Sequence, residues 1–259
     1  MKGFCTMKKL VYIDNNTAAH IVKNRITVFN VSDMSILFTV VLSVSNRKIG
    51  KITNFSVMPG EMCAEHCMET CYKKCYDMNA VNFRHNVRAA REANTYAVKN
   101  HLELFGVVMD MYLSKYRPEL FRIHVGGDFK TYEYFEQWIA LSSHTETTFL
   151  AYTKCYDVIR YAFTYKGITV PDNMSLYISL WNGITFPYDL MAILPTATLF
   201  EDDCHKDPNA TICPGSCQNC KMCYEGKPVV FIPHGNGISA KRHEQLKTAA
   251  SLLFKTYNA

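Results

Sequence analysis

The chain has 259 residues, of which 48% are hydrophobic and 20% are charged, and its formal net charge is +5. This composition is typical of a globular protein and excludes an intrinsically disordered chain. Eleven cysteines are too few for a disulfide scaffold but many for a chain that can bury its own core. No signal sequence or bilayer-spanning run is apparent, so we expect a cytoplasmic protein without membrane contact, in which clustered cysteines indicate metal ligands.

The order of predicted elements indicates an α/β fold. Short β-branched or apolar runs make the first 60 residues β-rich, and residues 77–117 have a helical composition without proline. Strands and helices then alternate, which predicts a mainly parallel sheet, either open or curled into a barrel. The later predicted strands span 121–125, 148–153, 175–181, 196–200 and 229–233, and the predicted helices span 132–142, 157–165, 187–193 and 239–254.

Three successive predicted strands each have one aliphatic face and one polar or aromatic face. Arg122 and His124 lie opposite the aliphatic residues of the first strand, and Tyr152 and Ser179 do so on the next two strands. A parallel strand that is covered on both sides would be apolar on both faces. The pattern therefore favours helices on the outer face and a concave inner face that lines a substrate site. A one-sided sheet open to water is the alternative.

Polar residues also follow these strands at the edge where α/β proteins bind ligands. Gly126-Gly127-Asp128 follows the first strand, Lys154 the second and Asn182 the third. A pair of glycines lets a ligand approach the backbone closely, and an aspartate accepts hydrogen bonds from an amine or a hydroxyl. Gly-Gly-Asp is otherwise a common turn sequence, so its position after a polar-faced strand is what makes it a candidate.

A first window of cysteines comprises Cys63, Cys67, Cys71 and Cys75, spaced every four residues. On a straight helix these side chains would form a drifting row on one face, which cannot surround a single metal centre. We therefore expect part of the first window to be irregular, with a loop beginning at Pro59-Gly60. The alternative is an ordinary helix with small residues on its packed face, which the density of cysteines disfavours.

A second window of cysteines lies among glycines and prolines and is predicted to be a loop. Its tight C-x2-C-x2-C spacing is typical of iron–sulfur clusters and of structural zinc sites, and the sequence does not separate the two metals. Cys5 and Cys155 stand alone and are interpreted as buried hydrophobes. The candidate metal ligands of the second window are Cys204, Cys213, Cys217, Cys220 and Cys223.

Several segments follow one another in a characteristic order: the first window, FRIHVGGDF, FLAYTK, and a cysteine cluster ahead of VVFIPHG. Over about residues 52–235 this combination resembles the phage gene product 88-like family. That family in turn resembles the radical S-adenosylmethionine (SAM) enzymes. The resemblance implies a partial (β/α) barrel of the TIM type over residues 51–259, with a cysteine loop over about 204–223. Residues 1–50 would form a β-rich N-terminal extension.

The resemblance also implies cofactors and residue roles. A [4Fe-4S] cluster held by three thiolates would bind SAM at its open iron, and an electron from an external donor would cleave SAM to a 5′-deoxyadenosyl radical. One or two clusters are implied, with zinc as the alternative at the second window. Gly126, Gly127 and Asp128 would contact SAM. The residues expected to face an unidentified substrate are His124, Tyr152, Lys154, Ser179 and Asn182.

The cysteine spacing differs from the usual C-x3-C-x2-C of radical SAM enzymes. The first window has four cysteines at equal spacing, whereas the usual spacing occurs at Cys213, Cys217 and Cys220. We favour the first window as the SAM site because a helical region separates it from the Gly-Gly-Asp strand. Cys67, Cys71 and Cys75 would then be ligands, with Cys63 ligating or nearby. The reverse assignment stays open, as does a fully ligated structural or electron-transfer cluster.

Two other functions remain as alternatives. A non-catalytic iron–sulfur or zinc protein that binds nucleic acid, a nucleotide or a host partner would fit the net positive charge and Arg84, His85, Arg88 and Arg91. A zinc-dependent hydrolase or deaminase is disfavoured, because no His-x-Glu or His-Glu-x-x-His element lies beside the cysteines. The expected location is the cytoplasm, which would be that of the host if a phage encodes the chain.

Overall fold

Two β-sheets and the helices around them form the described part of the chain in this computed structural model. The described residues are 10–45, 49–200, 207, 209–217, 220–233 and 239–257. Cys204, a predicted metal ligand, and Cys5 lie outside them. Neither sheet closes on itself among the described residues.

The first sheet is antiparallel, and its strands pair in chain order. The side chain of Asn94, which is fully buried, connects this sheet to the rest of the molecule. Its amide oxygen accepts a hydrogen bond from Val41 N–H at 2.7 Å, and its amide nitrogen donates to the carbonyls of Val41 and Ser56. The β-rich character predicted for this region is confirmed. The strands are β1 (Val11–Tyr12), β2 (Thr17–Val22), β3 (Arg25–Asn30) and β4 (Ile36–Val41).

The second sheet has seven parallel strands. From β5 to β9, spatial neighbours are also consecutive along the chain, so the carboxyl ends of these strands share one edge. A predominantly parallel α/β fold is thus confirmed. Its spatial order is β10 (Thr211–Ile212), β11 (Val229–Phe231), β9 (Thr196–Leu199), β8 (Met174–Ser179), β7 (Thr148–Thr153), β6 (Leu120–Ile123) and β5 (Thr53–Phe55).

The helical region predicted over 77–117 is divided into three helices. The backbone is extended at Arg84, and at His101 it leaves the helical conformation, where the imidazole stacks on Phe38 at 4.9 Å between ring centroids. No helix among the described residues is long and apolar enough to cross a membrane. The helices are α1 (His66–Glu69), α2 (Tyr76–Phe83), α3 (His85–Asn100), α4 (Leu102–Tyr116), α5 (Tyr132–Ser143), α6 (Tyr156–Lys166), α7 (Tyr188–Met191) and α8 (Ala240–Tyr257), with 3-10 turns at Cys71–Lys74 and Met222–Glu225.

The two faces of the parallel sheet differ as the alternating pattern predicts. Phe121 and Phe149 pack around Trp138 of α5 in the main core. The opposite face presents Tyr152 and Tyr177, whose ring centroids are 5.0 Å apart. This second face was expected to line an open interior, but at β7 and β8 it is covered by the second window. Covering these aromatic rings stabilises the fold, because it removes their apolar surface from water.

Candidate functional site

The first window lies at the carboxyl edge of the parallel sheet. It follows β5, while the Gly-Gly-Asp loop follows β6 and Lys154 follows β7. Two backbone hydrogen bonds connect the segment between β5 and the first window to the Gly-Gly-Asp loop: Val57 N–H donates to the Gly126 carbonyl at 3.1 Å, and Asp128 N–H donates to the Met62 carbonyl at 2.9 Å. Loops that are distant in sequence therefore meet at one edge, as the parallel arrangement requires.

The backbone of the first window is irregular, as its spacing predicts. Helix α1 ends at Thr70, whose φ and ψ of −112° and −97° are not helical, and a 3-10 turn follows. Cys75 then adopts an extended conformation ahead of α2. The cysteines consequently do not form a single row along one helix. Cys67 is buried and the other three are half-buried.

The thiols of the first window influence one another. Gly60 N–H donates to Cys63 Sγ at 3.3 Å, and burial together with the charge of Asp128 raises the pKa of Cys63 to about 12. A hydrogen bond between the Cys67 and Cys71 thiols lowers the pKa of Cys71 and raises that of Cys67. These side chains therefore share one environment, although Cys71 is the thiol most readily ionised within it.

The four thiols of the first window are the donor chemistry of iron–sulfur clusters and of zinc, so the donor set fits either group. The arrangement is not that of a preformed site. Nowhere in the described residues do three or more histidine, cysteine, aspartate or glutamate side chains converge as metal ligands do. The Nε2 atom of His66, within the first window, is buried without a hydrogen-bond partner. Binding would therefore have to draw the thiols together, which is common for sites that form only with their metal.

Lys154 brings a positive charge to the first window. Burial lowers the pKa of its ammonium, but the negative charges of Cys71, Cys67 and Asp128 outweigh burial and raise that pKa. Its Nζ atom also lies 5.5 Å from the centroid of the Trp181 ring. A cation at this position stabilises thiolates, which are the form that binds metal.

Gly126, Gly127 and Asp128, predicted to contact SAM, are closely engaged by the chain itself. The carboxylate of Asp128 is 6% exposed, and its two oxygens accept backbone N–H groups of Phe129 and Lys154, each at 2.7 Å. A Cβ at Gly127, where φ is +77°, would lie 2.3 Å from Val57. Contacts within the protein are therefore enough to explain these residue types, and their role toward SAM stays a prediction.

Asp77 is a buried residue that the sequence analysis missed. Its carboxylate forms a bidentate ion pair with Arg91, with both nitrogen–oxygen distances at 3.0 Å. A Cβ at Gly126 would lie 1.6 Å from Asp77 Oδ2, so this glycine makes room for the carboxylate. The ion pair thus joins α2 and α3 to the Gly-Gly-Asp loop. Arg91 was among the basic residues expected to contact nucleic acid, but this ion pair engages its side chain.

The prediction that His124 lies on the polar face of the strand, beside Arg122, is wrong. β6 ends at Ile123, and His124 has a φ of +60°, which breaks the alternation of side chains. Its ring lies 4.6 Å from Phe129 between centroids, and its Nε2 atom is 2.7 Å from the Tyr134 hydroxyl. His124 therefore belongs to the core beneath α5, on the side opposite Arg122. Its assignment as a substrate-facing residue has no support from this geometry.

The buried position of His124 predicts a pH dependence of stability. Burial, with the nearby charges of Arg91 and Arg122, lowers the pKa of His124 to about 3. In the unfolded chain the imidazole binds a proton below about pH 6.5, while the folded state keeps it neutral. Stability is therefore complete above pH 6.5 and falls as the pH drops toward 3. We expect the free energy of unfolding to be about 2 kcal/mol lower at pH 5 than above pH 6.5, because of this residue alone.

Urea unfolding of the wild type and of His124→Asn between pH 7.5 and 4.5 measures this effect. Asparagine tolerates positive φ but does not titrate, so the variant should be less stable at pH 7.5 and lose less stability on acidification. Parallel curves for the two proteins would mean that His124 is not the group responsible.

The other predicted substrate-facing residues lie in different places. Asn182 is exposed after β8, and the neighbouring Gly183 approaches Thr70 of the first window. The Ser179 carbonyl accepts the Tyr156 hydroxyl at 2.6 Å. Tyr152 instead contacts Cys223 of the second window through a hydrogen bond. The structure therefore brings Lys154 and the Asn182 loop to the first window, and it separates Tyr152 and His124 from it.

The second window occupies a different region from the first. Lys221 forms an ion pair at 2.6 Å with Glu119, which lies just before β6, and Ser175 near the start of β8 donates to the Tyr224 carbonyl at 3.0 Å. These contacts place the second window over the sheet face, toward the amino ends of the strands. The thiols of this window that border one small cavity are Cys213, Cys217, Cys220 and Cys223.

Comparisons with known proteins identify the family of this chain. Searches of curated proteins and of solved structures each found no match. The family model described as gene product 88 matches residues 39–200, which include the first window and the loops after β6, β7 and β8. Since this match covers more than half of the 259 residues, the chain belongs to the gene product 88 family.

Proposed function

We propose that the protein is a radical SAM-like enzyme that holds a [4Fe-4S] cluster in the first window. The observation that supports this most is the position of the first window at the carboxyl edge, after the first of five consecutively ordered parallel strands. The Gly-Gly-Asp loop and Lys154 follow the next two strands at the same edge. In this proposal the sheet corresponds to a partial barrel whose mouth holds the cofactors.

The side chains of the first window would have different roles in binding the cluster. Cys67, Cys71 and Cys75 would supply thiolates, and Cys63 would lie beside them or act as a fourth ligand. A [4Fe-4S] cluster held by these thiolates would supply, from an external low-potential donor, the electron for cleavage of the C5′–S bond of SAM, which would give methionine and a 5′-deoxyadenosyl radical able to remove a hydrogen atom from the substrate. Lys154 would balance the negative charge of the thiolates.

The loops around the first window would hold these ligands in place. The carboxylate of Asp128 fixes the backbone at Phe129 and Lys154, and Asp77 fixes the start of α2 immediately after Cys75. Both acids are buried and engaged, so their contribution is positioning of the first window.

SAM cleavage tests this function directly. The chain is reconstituted anaerobically with iron and sulfide, reduced with dithionite and incubated with SAM. We expect 5′-deoxyadenosine and methionine in equal amounts, measured by mass spectrometry, and neither product without the reductant. Intact SAM in the presence of a correctly assembled and reduced cluster would contradict the proposed reaction.

Charge distribution supports a second candidate, a non-catalytic metalloprotein that binds nucleic acid. At the junction of α2 and α3, the side chain of Phe83 is 82% exposed, and Arg84, His85 and Arg88 are exposed beside it. An exposed aromatic ring among basic side chains suits the stacking and phosphate contacts of single-stranded nucleic acid. This function differs from the first in two observable ways: SAM would stay intact, and affinity for an oligonucleotide would fall steeply with salt.

A further inference from the structure

The second window contains a second potential ligand site, which the proposed SAM chemistry does not use. Cys213, Cys217, Cys220 and Cys223 border one cavity of about 20 Å³, together with Lys227 and small or apolar groups. A cavity of this size has room for about one water-sized sphere. The sulfurs border the space without converging on a common point, so a ligand would have to draw them inward.

The segment around this cavity covers the sheet with few apolar contacts of its own. Cys213, Cys223 and Tyr224 pack against a small cluster that includes Tyr177 and Val229. Between β10 and β11, hydrogen bonds to the sheet, such as that from the Tyr177 hydroxyl to the Lys227 carbonyl at 2.7 Å, hold the segment at single points. Small folding units with so little core are often held together by disulfides or a structural metal.

A cation lies on the sheet face that the second window covers. The half-buried guanidinium of Arg122 lies 5.1 Å from the centroid of the Tyr152 ring and donates to the His124 carbonyl at 3.3 Å. Within the described residues, no carboxylate forms an ion pair with it. The Tyr152 ring beneath this guanidinium packs in the same small cluster as Cys213 and Cys223. A metal ion with four thiolates carries a net negative charge and would serve as the counterion.

We propose that Cys213, Cys217, Cys220 and Cys223 bind one zinc ion, which fastens the segment 213–228, between β10 and β11, to the face of the parallel sheet. Four thiolates in tetrahedral coordination form a closed structural zinc site. Contacts of this segment with Glu119 and Ser175, near the amino ends of β6 and β8, suit a structural role.

Metal analysis of the full chain with single replacements tests the zinc site. Wild type, Cys220→Ser and Ser216→Ala are purified anaerobically and their zinc and iron are counted by mass spectrometry. The zinc content of Cys220→Ser should be about tenfold or more below that of the wild type, and its iron content should be unchanged. Ser216→Ala alters the same cavity without removing a thiol and should keep both metals.

Two further readouts do not depend on a folded variant or on activity. Wild type loaded with Co²⁺ in place of zinc should show the strong sulfur-to-cobalt charge-transfer absorption of a tetrahedral thiolate site. Chelation of zinc should also speed cleavage by trypsin after the exposed Lys221 and Lys227, because the segment is then no longer fastened and can enter the protease. A wild type without zinc, or loss of iron rather than zinc in Cys220→Ser, would overturn the zinc site. A wild type with zinc but no iron would instead overturn the proposed SAM function.

Discussion

Replacing Cys71 with serine is expected to remove the cluster and abolish SAM cleavage. Cys71 has the lowest thiol pKa in the first window, because the Cys67 thiol donates to it and Lys154 lies nearby. A serine hydroxyl does not replace a thiolate as a soft ligand. Iron should fall from about four atoms per chain to well below one. The 5′-deoxyadenosine formed per chain should fall by about 100-fold or more.

The second window provides the matched control for this replacement. Cys220→Ser also removes one half-buried cysteine from an irregular segment, but it should leave iron and SAM cleavage unchanged. Absorption spectra of both variants after reconstitution report the cluster, and circular dichroism reports folding. Full iron in Cys71→Ser, with iron lost in Cys220→Ser, would mean that the two windows have been assigned in the wrong order.

Replacing Asp77 with alanine is expected to destabilise the protein by about 3–5 kcal/mol. The change leaves the guanidinium of Arg91, whose side chain is 12% exposed, without its charged partner. A lone charge at such a position is costly, because the protein does not replace the water that solvates it. Urea unfolding at pH 7 measures the free energy of unfolding. Iron retention should also weaken, since Asp77 fixes the start of α2 directly after Cys75.

Asp189→Ala provides the control, because Asp189 also forms a bidentate ion pair with arginine. That pair, with Arg160, is much more exposed, so its loss should cost about 1 kcal/mol or less. The double variant Asp77→Ala/Arg91→Met removes the unpaired charge and should recover part of the lost stability. Equal effects of Asp77→Ala and Asp189→Ala would show that burial of the Asp77 pair is unimportant.

Much of the fold follows from local patterns in the sequence. The alternating faces of β6, β7 and β8 arise from the period of a strand, and the parallel order arises from helices that alternate with strands. The division of the region 77–117 into three helices was not predicted. No proline or glycine near Arg84 indicates that the backbone becomes extended there. The bend at His101 depends on stacking with Phe38, a contact between distant parts of the chain.

The candidate site was predictable only in part, for a similar reason. The meeting of the first window with the Gly-Gly-Asp loop follows from strand order, which the sequence indicates. The ion pair between Asp77 and Arg91 does not, because it depends on the angle between α2 and α3. The positive φ of His124 likewise turns its ring into the core, and no residue type at that position signals the turn. The covering of Tyr152 by the second window depends on packing over a long range.

The count of iron and acid-labile sulfide in wild-type protein purified without oxygen tests the proposed cluster most directly. We expect about four of each per chain, with the absorption and, after reduction, the electron paramagnetic resonance signal of a [4Fe-4S] cluster. Protein that contains zinc at both windows, with less than about one iron per chain after reconstitution, would contradict the presence of a cluster.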